Sequence, residues 1–487
     1  MGIIAKQSIY NVISIGIAFM IGAANMLFLY PNFPGKNFQG LVVALLANSN
    51  LIQPFISFGV QHTLIKFFSD AKSKEDRDRL LWFVILFPLL ILAIILPFYY
   101  MYYTDILDFL SSNNGVVLRF PFMIISIAIF TAYFEIFFSW LRVHFQSVFG
   151  NFLKEVYPRL LTFTLLLLYA FQIIDLNKFI TLLIWGYFIR LIVISTYSFY
   201  VYFPSFQWKL PTAWKPMLRY SFLIFLSGAA ASFILDIDKA MIYKLTRDEN
   251  VAFYAVAVYI ATVIEAPGRA MFQIMSPLVA KALNENDFNR LEFLLKKSSI
   301  NLLIISGLVF MIINLNLNDF YLMIDQDGYA SASSVVILVS VGKLFSMSMG
   351  CLNNIISNSK YYVYVFWFSV SSAILAVGLN FSFIQSNGIL GAAIATLIVI
   401  IFINLCKIIL VAVFFKIHPY SKKSLVVVFF ISIIYLLVYW IPTLLHPIFS
   451  IVSRTILIIG LFSIPLFLLR WSSDLESLFQ KVKSRLF

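Results

Sequence analysis

Charged residues are scarce in this chain. Asp, Glu, Lys and Arg together make up 12% of its 487 residues, whereas hydrophobic residues make up 61%. A water-soluble protein cannot bury so large an apolar fraction. Apolar runs of about 20 residues recur throughout the sequence, and this is the length that crosses a bilayer as a helix. The sequence therefore predicts an all-α polytopic membrane protein.

Cysteine and histidine are also scarce, with two and four residues respectively. Cys351 and Cys406 both fall inside predicted helices, so we do not expect a disulfide framework. The histidines lack the spacing of metal ligands and fall near span ends, where we expect them to be interfacial: His62, His144, His418 and His446. The sequence shows no nucleophile constellation, Gly-rich phosphate loop or metal cluster. We therefore expect neither an enzyme nor a bound metal or cofactor.

Fourteen apolar segments are predicted to span the membrane. The fifth and ninth are the shortest, and we expect them to extend into their flanks. The segments are Ser8–Tyr30, Gln39–Val60, Leu80–Tyr102, Phe120–Trp140, Leu160–Ile174, Phe179–Tyr202, Tyr220–Tyr243, Val251–Ser276, Ile300–Leu315, Ser331–Ile356, Tyr361–Phe381, Ile389–Phe414, Leu425–Ile441 and Phe449–Leu469.

The charges between these segments alternate in sign along the chain. Acids without a nearby cation mark one set of loops: Asp105, Asp108, Asp319, Asp325 and Asp327. Basic residues mark the other set, among them Lys66, Lys72, Lys74, Arg77, Arg79, Arg142, Lys154, Arg159, Lys209, Lys215, Arg219, Lys281, Arg290, Lys296, Lys297, Lys422, Lys423, Lys481, Lys483 and Arg485. Because positive loops stay in the cytoplasm, both termini are predicted to be cytoplasmic. The net charge of +13 has the same origin and does not indicate nucleic acid binding.

Three short segments resemble a known transporter family. Gly388–Thr396 has the pattern Gly-x-x-Gly-Ala-Ala-x-Ala-Thr, whose small residues let membrane helices approach closely. Arg247–Ala257 is an acidic turn that leads into Phe-Tyr-Ala, and Phe58–Phe68 reads Phe-Gly-Val-Gln-His-Thr-Leu-Ile-Lys-Phe-Phe. Together with the length, span count and topology, these segments resemble the polysaccharide-transporter branch of the multidrug/oligosaccharidyl-lipid/polysaccharide exporter (MOP) superfamily. That branch includes the O-antigen and capsule-repeat flippases.

The resemblance implies two pseudo-symmetric lobes around a central cavity. Residues 1–204 would hold spans one to six and residues 205–420 spans seven to twelve, with two peripheral spans in 421–470 and a cytoplasmic amphipathic tail in 471–487. It also implies a flippase that moves an undecaprenyl-pyrophosphate-linked oligosaccharide across the bacterial inner membrane by alternating access. The expected partners are this lipid-linked oligosaccharide, membrane lipids and a glycan polymerase of the same pathway. The expected energy source is coupling to H⁺ or Na⁺, without a cofactor.

Six charged residues lie within the predicted spans, away from their ends: Glu135, Arg190, Glu265, Arg269, Lys343 and Lys407. Arg190 and Lys343 are the deepest, because at about 1.5 Å per helical residue each lies about 18 Å or more from the polar residues that flank its span. A cation at this depth costs about 2.5–3.5 kcal/mol and normally faces a cavity or a partner. We interpret the four cations as candidates for binding an anionic substrate. Glu265 and Glu135 are candidates for ion coupling.

The eighth span offers two interpretations. Glu265 and Arg269 are four residues apart, on one helix face, and bracket a predicted kink at Pro267 and Gly268. They form either a self-neutralised structural pair or a site in which Arg269 binds an anion while Glu265 positions it or accepts a proton. Basic residues in this span also occur in the related lipid II flippases. Those proteins add charges in the first span, where Ser8–Tyr30 has none.

Glu135 and Lys407 have alternative roles nearer the cytoplasmic surface. Glu135 precedes Arg142 by about two helical turns and would pair with it there. Lys407 is close enough to its span end to snorkel towards the cytoplasm. Neither alternative applies readily to Arg190 or Lys343, which lie deeper.

The excess of intramembrane cations favours an anionic substrate over other cargo. Arginine makes bidentate contacts to phosphate, and lysine supplies a point charge. A drug or metabolite antiporter of the same superfamily is the main alternative, but cationic drugs favour intramembrane acids. A lipid II flippase is less favoured by the first span. A membrane-bound acyltransferase would favour a buried histidine, and a glycan polymerase would favour a large external loop.

The loop charges predict the orientation of the chain. Reporter fusions after Asp108 and Asp325 should report the outside, and a fusion after Phe487 should report the cytoplasm. Alkaline phosphatase and fluorescent-protein fusions measure the two sides independently. An external C-terminus would contradict the even number of spans.

Overall fold

The computed structural model describes residues 14–68, 71, 73–102, 121–144, 146–207, 209–324, 328–441 and 446–468. Within these ranges every regular element is a helix, which confirms the predicted all-α class. The predicted outer-loop acids at positions 105, 108, 325 and 327 lie outside the described residues, as does the predicted amphipathic tail at 471–487.

The chain forms two compact units, Met1–Ala252 and Phe253–Phe487. The described helices of the first unit are α1 (Ser14–Asn32, π-helical over Ala24–Leu29), α2 (Lys36–Ser57), α3 (Val60–Phe67), α4 (Lys74–Met101), α5 (Pro121–Val143), α6 (Ser147–Glu155), α7 (Tyr157–Ala170), α8 (Leu176–Val201) and α9 (Trp214–Leu245). Helix α10 (Asp248–Thr262) crosses the boundary between the units. The first unit ends at Ala252 and includes α9, which carries the seventh predicted span. The predicted lobes divide at residue 204 instead, and they stay a prediction.

The described helices of the second unit begin with a bent element. A 3₁₀ turn at Val263–Glu265 separates α10 from the next helix. The helices are α11 (Ala266–Asn284), α12 (Phe288–Leu315), α13 (Leu317–Ile324), α14 (Ser333–Ser348, preceded by a 3₁₀ turn at Tyr329–Ala332), α15 (Leu352–Asn358), α16 (Val363–Phe415), α17 (Lys422–Tyr439) and α18 (Pro447–Leu468).

Within the described residues, eleven helical stretches are long and apolar enough to cross a membrane. One of them, α16, is two helices joined at Gly388, where φ is 56° and ψ is −134°, and it carries the eleventh and twelfth predicted spans. The short helix α7 and the more charged helix α9 lie where the fifth and seventh spans are predicted. Each of the fourteen predicted segments therefore coincides with a described helical region.

The second predicted span is broken between α2 and α3. Gly59 has a φ of 74°, and a Cβ at this position would lie 2.6 Å from the carbonyl oxygen of Ser221 on α9. One turn later the buried hydroxyls of Thr63 and Ser221 are 2.5 Å apart. The ring of Phe58 stacks on Phe225 with a centroid distance of 4.8 Å. Only glycine fits this crossing, because the helices approach too closely for a side chain and the backbone is left-handed.

Helices α5 and α8 pack together and carry the polar residues discussed below. Buried aromatic residues of α5, including Phe134 and Trp140, fill the core of this unit beside Ile194 of α8. The Ser198 hydroxyl of α8 donates to the carbonyl oxygen of Phe137 at 3.2 Å. The apolar packing fixes the two helices, so the polar side chains on the same helices have defined positions.

A buried carboxylate ties the start of α4 to the segment after α8. Asp78 accepts hydrogen bonds from the Tyr202 hydroxyl at 2.5 Å and from the Ser205 amide at 3.1 Å. The Trp82 indole donates to the Ser205 carbonyl at 3.0 Å. Burial, together with the hydrogen bond to Asp78, raises the pKa of Tyr202 to about 12. The phenol therefore remains a donor at neutral pH, and it satisfies a carboxylate that has no contact with solvent.

A buried ion pair anchors α18 in the second unit. Arg454 and Asp319 are 2.8 Å apart, with 8% and 1% of their side chains exposed. The same guanidinium donates to the carbonyl oxygens of Leu315 and Ile441, at 2.8 and 3.0 Å, and Ser450 donates to Asp319 at 2.9 Å. The sequence assigned Asp319 to an outer loop without a nearby cation. The expectation that Asp319 lacks a cation was wrong, because the cation comes from a helix more than a hundred residues later, whereas its place on the outer side stays a prediction.

Removing one partner of this pair should destabilise the protein strongly. Arg454→Met leaves the Asp319 carboxylate buried and unpaired, which costs about 3–5 kcal/mol. We expect a clear fall in the thermal unfolding midpoint of the purified protein. The double variant Arg454→Met, Asp319→Asn should recover part of the loss.

The matched control for this prediction is Arg290→Met. Arg290 pairs with Glu285 at 3.7 Å on an exposed surface, where such pairs contribute about 0–1 kcal/mol. Equal unfolding midpoints for the two arginine variants would contradict a structural role for the buried pair.

Candidate functional site

The first unit contains a polar cavity of about 550 Å³. Seven helices contribute to its wall, from α2 to α9. The lining residues are Asn50, Gln53, Pro54, Gln61, His62, Thr131, Glu135, Lys154, Glu155, Pro158, Arg159, Tyr187, Arg190, Gly228 and Asp236. Most of these side chains can donate or accept hydrogen bonds, although the helices that carry them are apolar.

Arg190 is the most enclosed cation of this cavity. Only 4% of the residue is exposed, and its guanidinium lies over the rings of Phe134 and Tyr187, at 4.1 and 4.7 Å from their centroids. One terminal nitrogen donates to the Thr131 hydroxyl at 3.4 Å, a long hydrogen bond. The buried Nε has no hydrogen-bond partner among the described residues. The aromatic rings stabilise the positive charge without neutralising it.

The other charged residues of the lining are paired. Lys154 and Glu135 are 2.7 Å apart, and Arg159 and Glu155 are 3.2 Å apart. Asp236 pairs with Lys239 at 2.6 Å and accepts a hydrogen bond from Asn50 at 3.1 Å. Within the described part of the chain, Arg190 is therefore the one lysine or arginine of this wall with no carboxylate within 4 Å.

Neutral amides and hydroxyls make up much of the remaining wall. Gln53 donates to the Ser57 hydroxyl at 3.2 Å, and the Oε1 atom of Gln61 has no partner among the described residues. Asn50 and Thr131 use one contact each, to Asp236 and Arg190. Amide and hydroxyl groups both donate and accept hydrogen bonds, so this wall suits a ligand rich in hydroxyl groups.

Two of the residues selected from the sequence, Arg190 and Glu135, line this same cavity. Glu135 has Lys154 as its partner at 2.7 Å, rather than Arg142 as the sequence alternative proposed. His62 was expected to be interfacial, but it lies in the cavity wall with them. The structure thus brings together an acid, a cation and a histidine that sequence spacing did not connect.

The remaining acid, Glu265, lies in the second unit and pairs with Lys343 at 2.9 Å. The side chains of Glu265 and Lys343 are 23% and 18% exposed, so the pair is only partly buried. Arg269 follows one turn after Glu265 and is exposed. The sequence allowed Glu265 to pair with Arg269 within the eighth span. In the structure Glu265 pairs instead with Lys343, which lies on another helix.

The local backbone explains the position of Glu265. It closes the 3₁₀ turn that interrupts the helix, and Pro267 follows in the first turn of α11. A Cβ on Gly268 would lie 2.4 Å from the Met347 sulfur of α14, so these helices cross closely. The predicted kink is present, and it brings the end of the turn against the helix that carries Lys343.

Lys407 lies on α16 and is partly buried. No ion pair joins it to another described residue. One turn earlier, Asn404 donates to the Ser346 hydroxyl of α14 at 2.8 Å. The structure therefore places Lys407 on a helix that contacts α14, but it does not place an acid beside it within the described ranges.

The sequence reasoning missed several residues of the site. The sequence placed Lys154 and Arg159 in a cytoplasmic loop and did not predict their ion pairs with Glu135 and Glu155. The spacing of Glu155 and Arg159, at i and i+4 across the junction of α6 and α7, was an available signal. So were Asp236 and Lys239, which lie inside the seventh predicted span but were not counted among the intramembrane charges.

A metal site is not supported within the described residues, where no group of three His, Cys, Asp or Glu side chains could hold an ion. The paired carboxylates of the cavity instead act as partners of lysine and arginine. The chemistry that this wall can provide is recognition of an anion by Arg190, with hydrogen bonding from neutral groups around it.

Solved structures of three transporters resemble this chain. The lipid II flippase MurJ in an inward closed conformation has a TM-score of 0.72 at 16% identity, covering 95% of this chain and 98% of that one. A multidrug resistance MATE family transporter of the MOP superfamily, in an inward-facing conformation, has a TM-score of 0.62 at 12% identity, covering 84% and 95%. A MOP superfamily transporter from Pyrococcus furiosus has a TM-score of 0.57 at 12% identity, with the same coverage. At these identities the likeness shows the fold.

Family membership rests on the sequence itself. The model of the family described as polysaccharide biosynthesis protein matches residues 4–283, more than half of the chain. No curated protein matches the sequence. The matched residues include two of the three sequence segments, Phe58–Phe68 and Arg247–Ala257, and the match confirms the family resemblance. The chain therefore belongs to the polysaccharide biosynthesis protein family and has the fold of the MOP superfamily transporters.

Proposed function

We propose that this protein is a flippase for an undecaprenyl-pyrophosphate-linked oligosaccharide repeat unit of the O-antigen or capsule type. It moves the unit from the cytoplasmic to the periplasmic leaflet of the bacterial inner membrane by alternating access. The family match and the transporter fold support a membrane transporter of polysaccharide biosynthesis. The finer assignment of the substrate depends on the cavity of the first unit.

The observation that carries the proposal is the unneutralised charge of Arg190. Every carboxylate of the cavity wall already has a lysine or arginine partner. A guanidinium with a free donor edge can make bidentate hydrogen bonds to a phosphate group. A pyrophosphate concentrates two negative charges in a small head group, so it would recover the electrostatic energy that burial of Arg190 costs.

The neutral part of the wall supports a sugar beside that phosphate. Asn50, Gln53 and Gln61 offer amide groups, and Thr131 offers a hydroxyl within contact distance of Arg190. Sugar hydroxyls require both donors and acceptors, which amides supply together. A phosphate-binding cation next to amide groups suits a diphosphate-linked sugar better than a simple inorganic anion.

The second unit would contribute the coupling step under this proposal. Glu265 and Lys343 form a partly exposed pair that a bound anion or a proton could open, since either neutralises one partner. Arg269 and Lys407 remain proposed substrate-binding residues, and Glu135 with Glu265 remain proposed ion-coupling residues for H⁺ or Na⁺. A glycan polymerase of the same pathway is the proposed protein partner.

A lipid II flippase is the second candidate, because MurJ is among the structures that resemble this chain. Lipid II also presents a pyrophosphate-linked sugar, so the Arg190 site would serve either ligand. The described part of the first span, Ser14–Asn32, contains no charged residue. In its middle, Asn25 is buried and donates to the carbonyl oxygen of Arg159 at 2.7 Å, which gives it a structural contact. The repeat-unit flippase therefore remains the preferred proposal.

Replacing Arg190 should impair transport without preventing membrane insertion. Arg190→Ala removes a charge-assisted contact worth about 1.5–3 kcal/mol, roughly ten- to a hundredfold in affinity. Arg190→Lys should retain only part of the activity, because lysine keeps the charge but loses the planar fork. The measurement is accumulation of the lipid-linked repeat unit in the inner leaflet of a deletion strain complemented with each variant.

The control is Arg219→Ala, which removes an exposed cation of the same unit. It should complement as well as the unaltered protein at matched expression. Lys343→Ala tests the second unit in the same assay. Full complementation by the double variant Arg190→Ala, Lys343→Ala would contradict an anion-binding mechanism, even if the protein proved to be a flippase by other means.

A further inference from the structure

His62 lies in the cavity wall with Arg190, and its ring makes no hydrogen bond or ion pair with a described residue. It follows the break between α2 and α3 at Phe58 and Gly59, both of which have positive φ angles of 47° and 74°. Its backbone amide donates to the Gly59 carbonyl at 3.1 Å. The imidazole is accessible from the cavity and makes no hydrogen bond to any described residue. Both ring nitrogens are therefore open to a ligand.

Charged and titratable groups lie on six of the seven helices that form the cavity wall. On the helix that carries His62, Lys66 lies over the ring of Tyr220, 4.0 Å from its centroid. The other helices supply Glu135 and Arg142 from α5, Lys154 and Glu155 from α6, Arg159 from α7, Tyr187 and Arg190 from α8, and Asp236 from α9. The three carboxylates in this set are held by Lys154, Arg159 and Lys239. Glu135 favours a charged His62, but within the described part of the wall its carboxylate is already paired with Lys154.

The charge of a diphosphate diester exceeds what the empty cavity can neutralise. Such a ligand carries two negative charges, and Arg190 supplies one positive charge. The lysine and arginine pairs cannot supply the second charge without exposing a carboxylate to the ligand. Histidine is the side chain that gains a charge most easily near neutral pH.

We propose that His62 is the second anion-binding group of this cavity, and that it takes up one proton from solvent when a diphosphate diester binds beside Arg190. The inference rests on the proposed function, because it names the charge state of the same site. It adds a proton to the bound complex: the imidazole nitrogen gains the proton and donates it in a hydrogen bond to a phosphate oxygen. No bond of the ligand forms or breaks.

The surroundings of the ring agree with this charge change. His62 is exposed, and the partial desolvation of its ring in the cavity lowers the pKa of His62 below its ordinary value. The carboxylate of Glu135 opposes the shift, whereas Arg142 and Lys154 add to it. The empty site therefore holds a neutral histidine near pH 7. A bound dianion favours the protonated form and raises the pKa, so the affinity for the anion must increase as the pH falls.

The test uses the full-length protein in lipid nanodiscs and a short-chain probe, farnesyl-diphospho-N-acetylglucosamine. This probe is a diphosphate diester whose own charge stays constant between pH 5.5 and 7.5. Calorimetric titration gives the affinity at each pH, and repetition in buffers of different ionisation enthalpy gives the number of protons taken up. We expect uptake approaching one proton, and an affinity that rises by up to about tenfold per pH unit as the pH falls.

Three histidine variants separate the proposal from a loss of folding. His62→Asn should bind weakly at every pH and take up no proton. His62→Lys carries a permanent charge and should bind tightly with little dependence on pH. His418→Asn, which alters an exposed histidine of the second unit, should keep the behaviour of the unaltered protein. Thermal unfolding of each variant verifies that it is folded before titration.

The outcomes distinguish this proposal from the proposed function. Proton uptake that persists unchanged in His62→Asn would overturn the role of His62, and so would probe binding without proton uptake in the unaltered protein. In either case an affinity that Arg190→Ala abolishes would leave the anion site intact. Equal probe binding by Arg190→Ala and the unaltered protein would overturn the Arg190 site itself. Failure of the unaltered protein to bind the probe at any pH would overturn both.

Discussion

The organisation of the first unit depends on the buried positive charge of Arg190, which lies on the apolar helix α8. Arg190 is 4% exposed, and the desolvation penalty for such a charge is several kcal/mol. Contacts with the rings of Phe134 and Tyr187 offset part of this penalty, at about 2 kcal/mol or more for a desolvated contact. A carboxylate would recover more, and Glu135 lines the same cavity, but it is held by Lys154 at 2.7 Å. Glu135 therefore forms no ion pair with Arg190, and the positive charge of Arg190 remains available to a ligand.

Two ion pairs of the second unit differ in how far they are buried. Arg454 and Asp319 are almost fully enclosed, and carbonyl and hydroxyl groups satisfy their remaining hydrogen-bonding capacity, so the pair joins helices permanently. Lys343 and Glu265 are about one-fifth exposed, and Glu265 ends a short 3₁₀ turn rather than lying inside a continuous helix. The difference in exposure is why we treat the first pair as structural and propose a role in transport for the second.

The helices could be predicted from the sequence, but the contacts between them could not. Apolar length and loop charge depend on neighbouring residues along the chain, and each predicted segment coincides with a described helical region. The partner of a buried charge depends on which helices are adjacent in space. This explains why Asp319 seemed to lack a cation although Arg454 lies beside it, and why Glu135 pairs with Lys154. The spacing of Glu265 and Arg269 likewise suggested a pair along one helix, whereas the kink turns Glu265 towards Lys343.

If the cavity binds the substrate, as we propose, its neutral residues limit the ligands that fit as much as its charges do. A cationic drug would need an acid with no partner, and within the described wall each carboxylate already has a lysine or arginine. A wholly apolar ligand would leave the Nε atom of Arg190 and the Oε1 atom of Gln61 without partners among the described residues, at about 1–3 kcal/mol for each buried group. A small inorganic anion would satisfy Arg190 but not the amides. The proposed diphosphate-linked sugar would satisfy both kinds of group at once, and its second negative charge is the one for which we propose that His62 takes up a proton.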